Sequence, residues 1–306
     1  VKKDLVSITD LSKDEMLRLF KLARELKEKV KRGKEYHILK GKVLAMIFEK
    51  PSLRTRVTFE TGIYQLGGYG IYLAPTDIKL GKREAVPDVA RNLSRWVNGI
   101  MARTFAHKTV TDLAENASVP VINGLSDLEH PCQILADFLT IQEHKGNFKG
   151  LKLAFIGDGN NVAHSLMLAS AILGANFTLG CPSGYEANPE IVDKAKNLAK
   201  GTGSIVKIVN DPVEAVRDAD IIYTDVWASM GQEDEAEKRK MDFQRFQVNT
   251  RLLEVAKKDA VVMHCLPAHR GEEITSEVLD GPHSIVLDEA ENRLHAQKAL
   301  MVMLMK

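Results

Sequence analysis

Cysteine is scarce: Cys132, Cys181 and Cys265 are the only three in 306 residues, odd in number and widely spaced. Neither a disulfide framework nor a zinc knuckle has that pattern, so a reducing compartment, the cytoplasm, is expected. An excess of one charge is also lacking, with 42 Lys and Arg against 41 Asp and Glu and a formal balance of +1. A dedicated nucleic-acid binder or membrane-surface protein needs a net basic field, so neither partner is expected and any anion site must be local. No run approaches the roughly 18 uninterrupted apolar residues of a membrane span. The opening Val1-Lys2-Lys3-Asp4 lacks the apolar stretch of a secretory signal. Internal repeats and low-complexity tracts are missing too. What is present is a chain 44% hydrophobic and 27% charged, which excludes disorder as the main state. Its length suits two compact units of about 150 residues each.

Short β-branched or apolar runs bounded by Gly or Pro alternate with helical periodicity through both halves, the pattern of parallel sheets with crossover helices. The expected fold is α/β. The first half predicts strands at Val43 to Phe48, Gly70 to Leu73, Gly99 to Ala102 and Val119 to Ile122. The second predicts six, at Lys152 to Ile156, Phe177 to Cys181, Ile205 to Val209, Ile221 to Thr224, Ala260 to Met263 and Ile285 to Leu287. Helical stripes carry Phe59, Ile63 and Leu66, then Val86, Val89, Ala90, Leu93 and Val97. A polar, Gly-punctuated segment at 143–150 follows a helix opening at Pro131, which predicts domains 1–146 and 147–306 with that helix as connector. A last helix, from about Glu289 to Met303, is apolar enough at its end to pack back on the first domain. The charged run at 233–240 reads as a solvated helix face, although its place after Trp227-Ala228-Ser229-Met230-Gly231 also suits a mobile lid.

Several clusters can carry chemistry. After the first strand, Ser52 stands where a helix N-cap belongs, with Arg54, Thr55 and Arg56 beside it. Free amides, hydroxyls and a guanidinium at one helix start make a phosphate or carboxylate site, and capping alone does not explain the added basic residues. Arg103 follows the strand at Gly99, at a carboxyl end where parallel sheets bind ligands. His130-Pro131-Cys132-Gln133 opens the connecting helix. It is either an ordinary helix start or a pair of donors for a polarised carbonyl, with Cys132 a buried small residue. Gly157-Asp158-Gly159-Asn160-Asn161-Val162 invites a dinucleotide reading. However, Val162 fills the third Gly position, and Cys181-Pro182-Ser183-Gly184 supplies no ribose-binding acid, so a dehydrogenase is poorly supported. Asn161 instead offers its amide to a small carboxylate or caps the helix. Asp225 ends a strand and suits an ammonium group, with Ser229 four residues on; loop capping is the alternative for both. In His264-Cys265 a thiol emerges at a strand end. Adjacent strand residues point to opposite faces, which argues against a Cys-His dyad, and His264, Cys265 and His269 lack a second cluster at metal-ligand spacing.

Together, Ser52-Leu53-Arg54-Thr55-Arg56, Met101-Ala102-Arg103-Thr104, His130-Pro131-Cys132-Gln133, Asp225-Val226-Trp227-Ala228-Ser229-Met230-Gly231 and His264-Cys265-Leu266-Pro267 resemble, in order and spacing, the signature set of the ornithine carbamoyltransferases, within the aspartate/ornithine carbamoyltransferase family. The resemblance implies two α/β domains and the transfer of a carbamoyl group from carbamoyl phosphate to the δ-amine of L-ornithine, without metal or organic cofactor. It places Ser52, Leu53, Arg54 and Thr55 on the phosphate, and Arg103, His130 and Gln133 at the carbonyl end. Cys265, Leu266 and Arg293 complete that pocket. Asn161, Ser229 and Met230 receive the ornithine carboxylate end and Asp225 its α-ammonium. Arg54, Arg103, His130, Asp225 and Cys265 are the catalytic set. It also implies a homotrimer or a multiple of trimers, with the loop Asp77-Ile78-Lys79-Leu80-Gly81 reaching a neighbour's site. Lys79 stands where ornithine enzymes usually have Gln, which leaves aspartate or an N-acylated ornithine as alternative acceptors.

Overall fold

The computed structural model describes residues 3–34, 36–229 and 231–306. Two compact units divide the chain, one of Val1–Leu139 with Glu291–Lys306 and one of Thr140–Ala290.

The first unit opens on α1 (Lys13–Lys31), started by a capping box in which Ser12 and Glu15 satisfy each other's backbone amides. There follow β1 (Val43–Phe48), α2 (Leu53–Gln65), β2 (Tyr69–Leu73), α3 (Pro75–Ile78), α4 (Val86–Trp96), β3 (Gly99–Arg103), α5 (His107–Asn116), β4 (Val121–Leu125) and, as far as Leu139, α6 (Pro131–Lys145), whose remaining residues belong to the second unit. The strands are parallel in the order β2-β1-β3-β4. β1 reads as an unbroken apolar run because helices cover both faces of the sheet. Ala45, Ile47, Val89, Ala90, Ile100, Ala102 and Val110 build the core on one side.

The second unit holds β5 (Lys152–Ile156), α7 (Asn161–Leu173), β6 (Asn176–Gly180), α8 (Pro189–Thr202), β7 (Val206–Val209), α9 (Pro212–Val216), β8 (Ile221–Thr224), α10 (Ala236–Phe243), α11 (Thr250–Leu253), β9 (Val261–His264) and α12 (Ser276–Leu279). Its parallel order is β7-β6-β5-β8-β9. α13 (Val286–Met305) begins in this unit, and its residues from Glu291 onward belong to the first, as the apolar end of that helix predicts.

Three expectations are corrected. Among the described residues the second sheet has five strands, because Ile285–Leu287 does not form a sixth. Only a bridge between Val262 and Ser284 forms there, and the Asp288-Glu289 pair becomes the acidic first turn of α13. β4 starts at Val121 rather than Val119. The charged run at 233–240 is not wholly solvated: Arg239 is buried, donates to Asp158 at 3.0 Å and to the Trp227 carbonyl at 2.9 Å, and lies over the Tyr185 ring. A charge count cannot show that one cation in a polar run turns inward to a carboxylate.

Ligands of open parallel sheets collect outside the carboxyl ends of strands where the strand order reverses. In the first unit that point lies between β1 and β3, and in the second between β5 and β8. The segments leaving these four strands carry Ser52 and Arg54, Arg103, Asn160 and Asn161, and Asp225.

Candidate active site

In the first unit Ser52 has extended backbone and is the N-cap of α2, its hydroxyl accepting from the Thr55 amide at 3.3 Å. Thr55 is buried, Arg54 half-buried and Leu53 exposed. Arg103 ends β3 almost fully buried. His130, just before α6, is 5% exposed and lies in the field of Arg293, Arg103, Lys50 and Arg54. Burial first, and then these four cations, hold its imidazole well below the usual 6.5. It therefore stays neutral and serves as a hydrogen-bond partner rather than as a fifth positive charge. Four cations acting on a neutral imidazole, with the N-terminus of α2 in the same unit, are an arrangement that can take a small multivalent anion, here called the cradle.

Arg293 is 2% exposed and holds the cradle together. It donates to Gln133 Oε1 at 2.5 Å and to Thr55 Oγ1 at 3.1 Å, tying α13 to α6 and α2. Gln297, with its carboxamide turned so that both ends are satisfied, accepts from Arg293 at 3.0 Å and donates to Thr58 at 2.6 Å. Gln133 also donates to Asp137 at 2.8 Å, so its amide supports the wall of the cradle as well as facing it.

Sequence reasoning passed over Lys50, the residue after the Glu49 that leaves β1. It is buried, its ammonium 4.9 Å from the centroid of the Phe105 ring. Burial and then the charge of Arg103 push its pKa down to about 8, against the pull of Asp127 and Glu49. A lysine between a strand end and an N-cap was the available signal. Lys79 lies elsewhere: it is exposed, in a left-handed conformation with φ 45°, and lines a cavity of about 430 Å³ with Phe48, Glu49, Leu80, Lys82 and Phe105.

In the second unit Asn160 rather than Asn161 caps α7, accepting from the Val162 and Ala163 amides at 3.0 and 3.1 Å. Asn161 is the first helical residue, half-buried. Asn160 also donates to Asp225 Oδ2 at 2.9 Å. The other oxygen, Oδ1, accepts from the Val226 amide at 2.8 Å and from the Cys265 thiol at 3.0 Å. Gly159 is there for packing rather than for a pyrophosphate, since a Cβ would meet the Ala187 nitrogen at 2.2 Å. Ser229 and Gln232 close a turn on each other, at 3.0 Å from the Ser229 amide and 2.9 Å from that of Gln232. Met230 lies outside the described residues.

Both ring nitrogens of His264 are engaged elsewhere than on Asp225: Nδ1 accepts from the Leu266 amide at 2.9 Å and Nε2 faces Glu273 at 3.0 Å. Leu266 is left-handed at φ 56° and precedes a cis peptide to Pro267. For a residue with a side chain that conformation costs about 1–2 kcal/mol, so the surrounding bonds must hold it. Among the described residues, donor atoms of Asp225, His264 and Cys265, and separately of His269, Glu272 and Glu273, approach within 4.8 Å of one another. Spacing along the chain could not show that Asp225 joins the first group. Cys132 and Cys181 are buried, and burial pushes both thiols up to about 12.

An anion cradle at one switch point and a carboxylate–amide–thiol cluster at the other define a two-substrate transferase of the α/β class. Residues 3–143 match the family described as aspartate/ornithine carbamoyltransferase, carbamoyl-P binding domain, and residues 149–304 the corresponding Asp/Orn binding domain. The chain belongs to the aspartate/ornithine carbamoyltransferase family. It is 56% identical to an ornithine carbamoyltransferase of Thermococcus kodakarensis, over 99% of this chain and 96% of that protein. It is 53% identical to one of Pyrococcus furiosus named anabolic, with the same two coverages. A solved structure of ornithine carbamoyltransferase from Pyrococcus furiosus superposes with a TM-score of 0.97 at 52% identity, covering 100% of this chain and 97% of that one.

Proposed function

We propose that this protein transfers the carbamoyl group of carbamoyl phosphate to the δ-amine of L-ornithine, giving L-citrulline and phosphate as a step of arginine biosynthesis. The observation that carries this reading is the convergence of Arg54, Arg103, Arg293 and Lys50 on a neutral His130. In this reading Ser52, Thr55, the Leu53 backbone and Arg54 hold the phosphate. Arg103 and His130 stabilise the oxyanion that develops on the carbonyl oxygen, with Gln133 and Arg293 bracing them and Leu266 and Cys265 completing the pocket. The second unit takes the acceptor: Asp225 holds the α-ammonium, and Asn161, Ser229 and Met230 receive the carboxylate end. The neutral δ-nitrogen attacks the carbonyl carbon, the bond from carbon to the bridging oxygen breaks, and phosphate leaves with its electron pair while the amine loses a proton. The Cys265–Asp225 pair orients that amine. Holding both reactants in place supplies most of the remaining acceleration.

The working form in this reading is a homotrimer, or a multiple of it, in the cytoplasm. Three cysteines joined by no disulfide favour that compartment. An apolar face on α2, where Leu53 and Tyr64 are 74% and 78% exposed, beside the exposed Tyr69 and Ile71 of the edge strand β2, suits burial against a second copy. Lys79 then reaches a neighbour's phosphate. No described helix is long and apolar enough to cross a membrane.

The deciding experiment measures carbamoyl transfer from carbamoyl phosphate with ornithine and, in parallel, with aspartate. Citrulline with ornithine and no product with aspartate is the expected result; the reverse would move the acceptor assignment. Light scattering should give a mass three times the chain's 34.0 kDa, or a multiple of that.

A further inference from the structure

We propose that His264 is a positioning residue, whose imidazole fixes the Leu266 backbone and thereby sets where the neighbouring Cys265 thiol and the Leu266 carbonyl stand. The inference rests on the carbamoyl-transfer reading for its consequence, though not for its geometry. An amide N–H can only donate, so the 2.9 Å contact from Leu266 leaves Nδ1 of His264 without a proton. The proton is then on Nε2, which donates to Glu273 Oε1 at 3.0 Å. That same carboxylate oxygen accepts the His269 amide at 2.6 Å, so one buried acid closes the loop from both sides. Both partners are fully buried, with no side-chain exposure.

The backbone around the ring is held too. The His264 amide donates to Glu289 Oε2 at 3.0 Å, and Tyr223 donates to the other oxygen of Glu289 at 3.0 Å. Between His264 and Leu266 stands Cys265, donating to Asp225 at 3.0 Å. The imidazole thus bridges the residues on either side of the thiol, and keeps Leu266 in its left-handed conformation. With both ring nitrogens engaged, His264 is not itself a base or a ligand in the proposed reaction, and its role runs through Leu266 and Cys265.

Two substitutions separate the two ends of the ring. In His264→Asn the carboxamide oxygen takes the place of Nδ1 and still accepts from Leu266, while the bond to Glu273 is lost. In His264→Gln the carboxamide reaches Glu273, and the Leu266 amide is left bare. A displacement of about an ångström at a reacting group costs on the order of 100-fold, so His264→Gln should lose about that much kcat and His264→Asn no more than about tenfold. The second readout is the rate at which iodoacetamide alkylates Cys265, followed by peptide mass spectrometry. It should change in His264→Gln and stay near wild type in His264→Asn. Equal kcat losses, a larger loss in the Asn variant, or an unmoved alkylation rate in both would overturn the proposal. If the wild-type enzyme makes no citrulline, the transfer reading fails and the alkylation rates still decide the role of His264. If both variants unfold, Glu273→Gln, which keeps the accepting oxygen, and Glu273→Leu, which does not, carry the same test. Only the Leu variant should alter Cys265 alkylation, because it alone strips the acceptor from both the His264 ring and the His269 amide and so frees the imidazole to leave Leu266; equal rates in the two would overturn the proposal.

Discussion

The turn from β1 into α2 and the turn from β5 into α7 are the same local structure with opposite chemistry. Each leaves a central strand at a switch point and enters a helix whose first residue follows a polar N-cap, Ser52 in one and Asn160 in the other. Around the first stand cations, with Lys50, Arg54, Arg103 and Arg293 all acting on His130. Beside the second stands a carboxylate, Asp225, to which the capping Asn160 itself donates. A helix N-terminus favours anions, but it does not make an anion site where an acid already occupies the opening. The strand next to each turn sets the charge it presents, β3 with Arg103 or β8 with Asp225.

The sharpest way to break that comparison is to remove the deciding neighbour from each side. Arg103→Ala should lower turnover by about 100- to 1,000-fold, the usual cost of losing one donor aimed at a developing oxyanion. It should also weaken carbamoyl phosphate binding. Asp225→Asn should leave carbamoyl phosphate binding near wild type and raise the KM for ornithine by tenfold or more, since a charge-assisted contact is worth about 1.5–3 kcal/mol. Calorimetry with carbamoyl phosphate alone distinguishes the two. An Asp225→Asn enzyme that binds it poorly would mean the two turns do not divide the substrates.

Next in size is the pH response of the cradle. His130 is held neutral from well below pH 6.5, so it does not titrate as turnover rises from pH 6 to about 8. That rise is expected from an acceptor amine whose intrinsic pKa lies near 10. Lys50 behaves differently. In the folded protein it loses its proton near pH 8, and in the unfolded chain near 10.5. Between those values the unfolded state binds the extra proton, so stability without ligand rises with pH across that window. Lys298, likewise pushed down to about 8 by burial, adds to the same trend. A dianion needs Lys50 charged, so affinity for carbamoyl phosphate should fall above pH 8 with uptake of a proton on binding. Lys50→Met should flatten that dependence and stabilise the unliganded protein below pH 8, where the wild type must hold a charged lysine in a buried place. Binding enthalpies in buffers of different ionisation heat measure the proton directly, and an unchanged slope in the variant would remove Lys50 from the cradle.

The two turns also show where a sequence stops being readable. Apolar periodicity located β1, β5 and β8 to the residue, because buried parallel strands are short apolar runs between breakers. Ser52, Arg54 and Arg103 could be read as one site because they sit at strand ends, a position that topology alone makes important. The place of Lys50 between a strand end and an N-cap could mark it as a candidate, but its burial could not be read, since that is decided by packing that no local pattern encodes. At the second turn the glycines suggested a dinucleotide. Gly159 is instead required by the backbone at 186–187, a contact between segments more than 25 residues apart. The same limit hid Arg239 and the His264–Glu273 pair. The sixth run expected in the second half, Ile285–Leu287, fails because a short apolar triplet fits the start of a half-buried helix as well as a strand.

The smallest expected effect separates what an N-cap does for its helix from what it does for a ligand. Ser52 accepts the Thr55 amide at 3.3 Å, a longer bond than the 3.0 and 3.1 Å pair at Asn160, so its hydroxyl is less committed to capping. Ser52→Ala should cost about 1 kcal/mol of stability and Ser52→Gly only a few tenths, because glycine tolerates the cap position and leaves the amides open to water. For a unit of this size that difference is roughly 2–4 °C in Tm. Both variants lose the same hydroxyl, so both should bind carbamoyl phosphate more weakly by about the same factor, near tenfold for a hydrogen bond to a charged group. Asn160→Ala should reverse the pattern, destabilising α7 and raising the KM for ornithine while carbamoyl phosphate binding stays unchanged. If glycine at position 52 restores affinity as well as stability, the hydroxyl only caps, and the cradle is made by its cations alone.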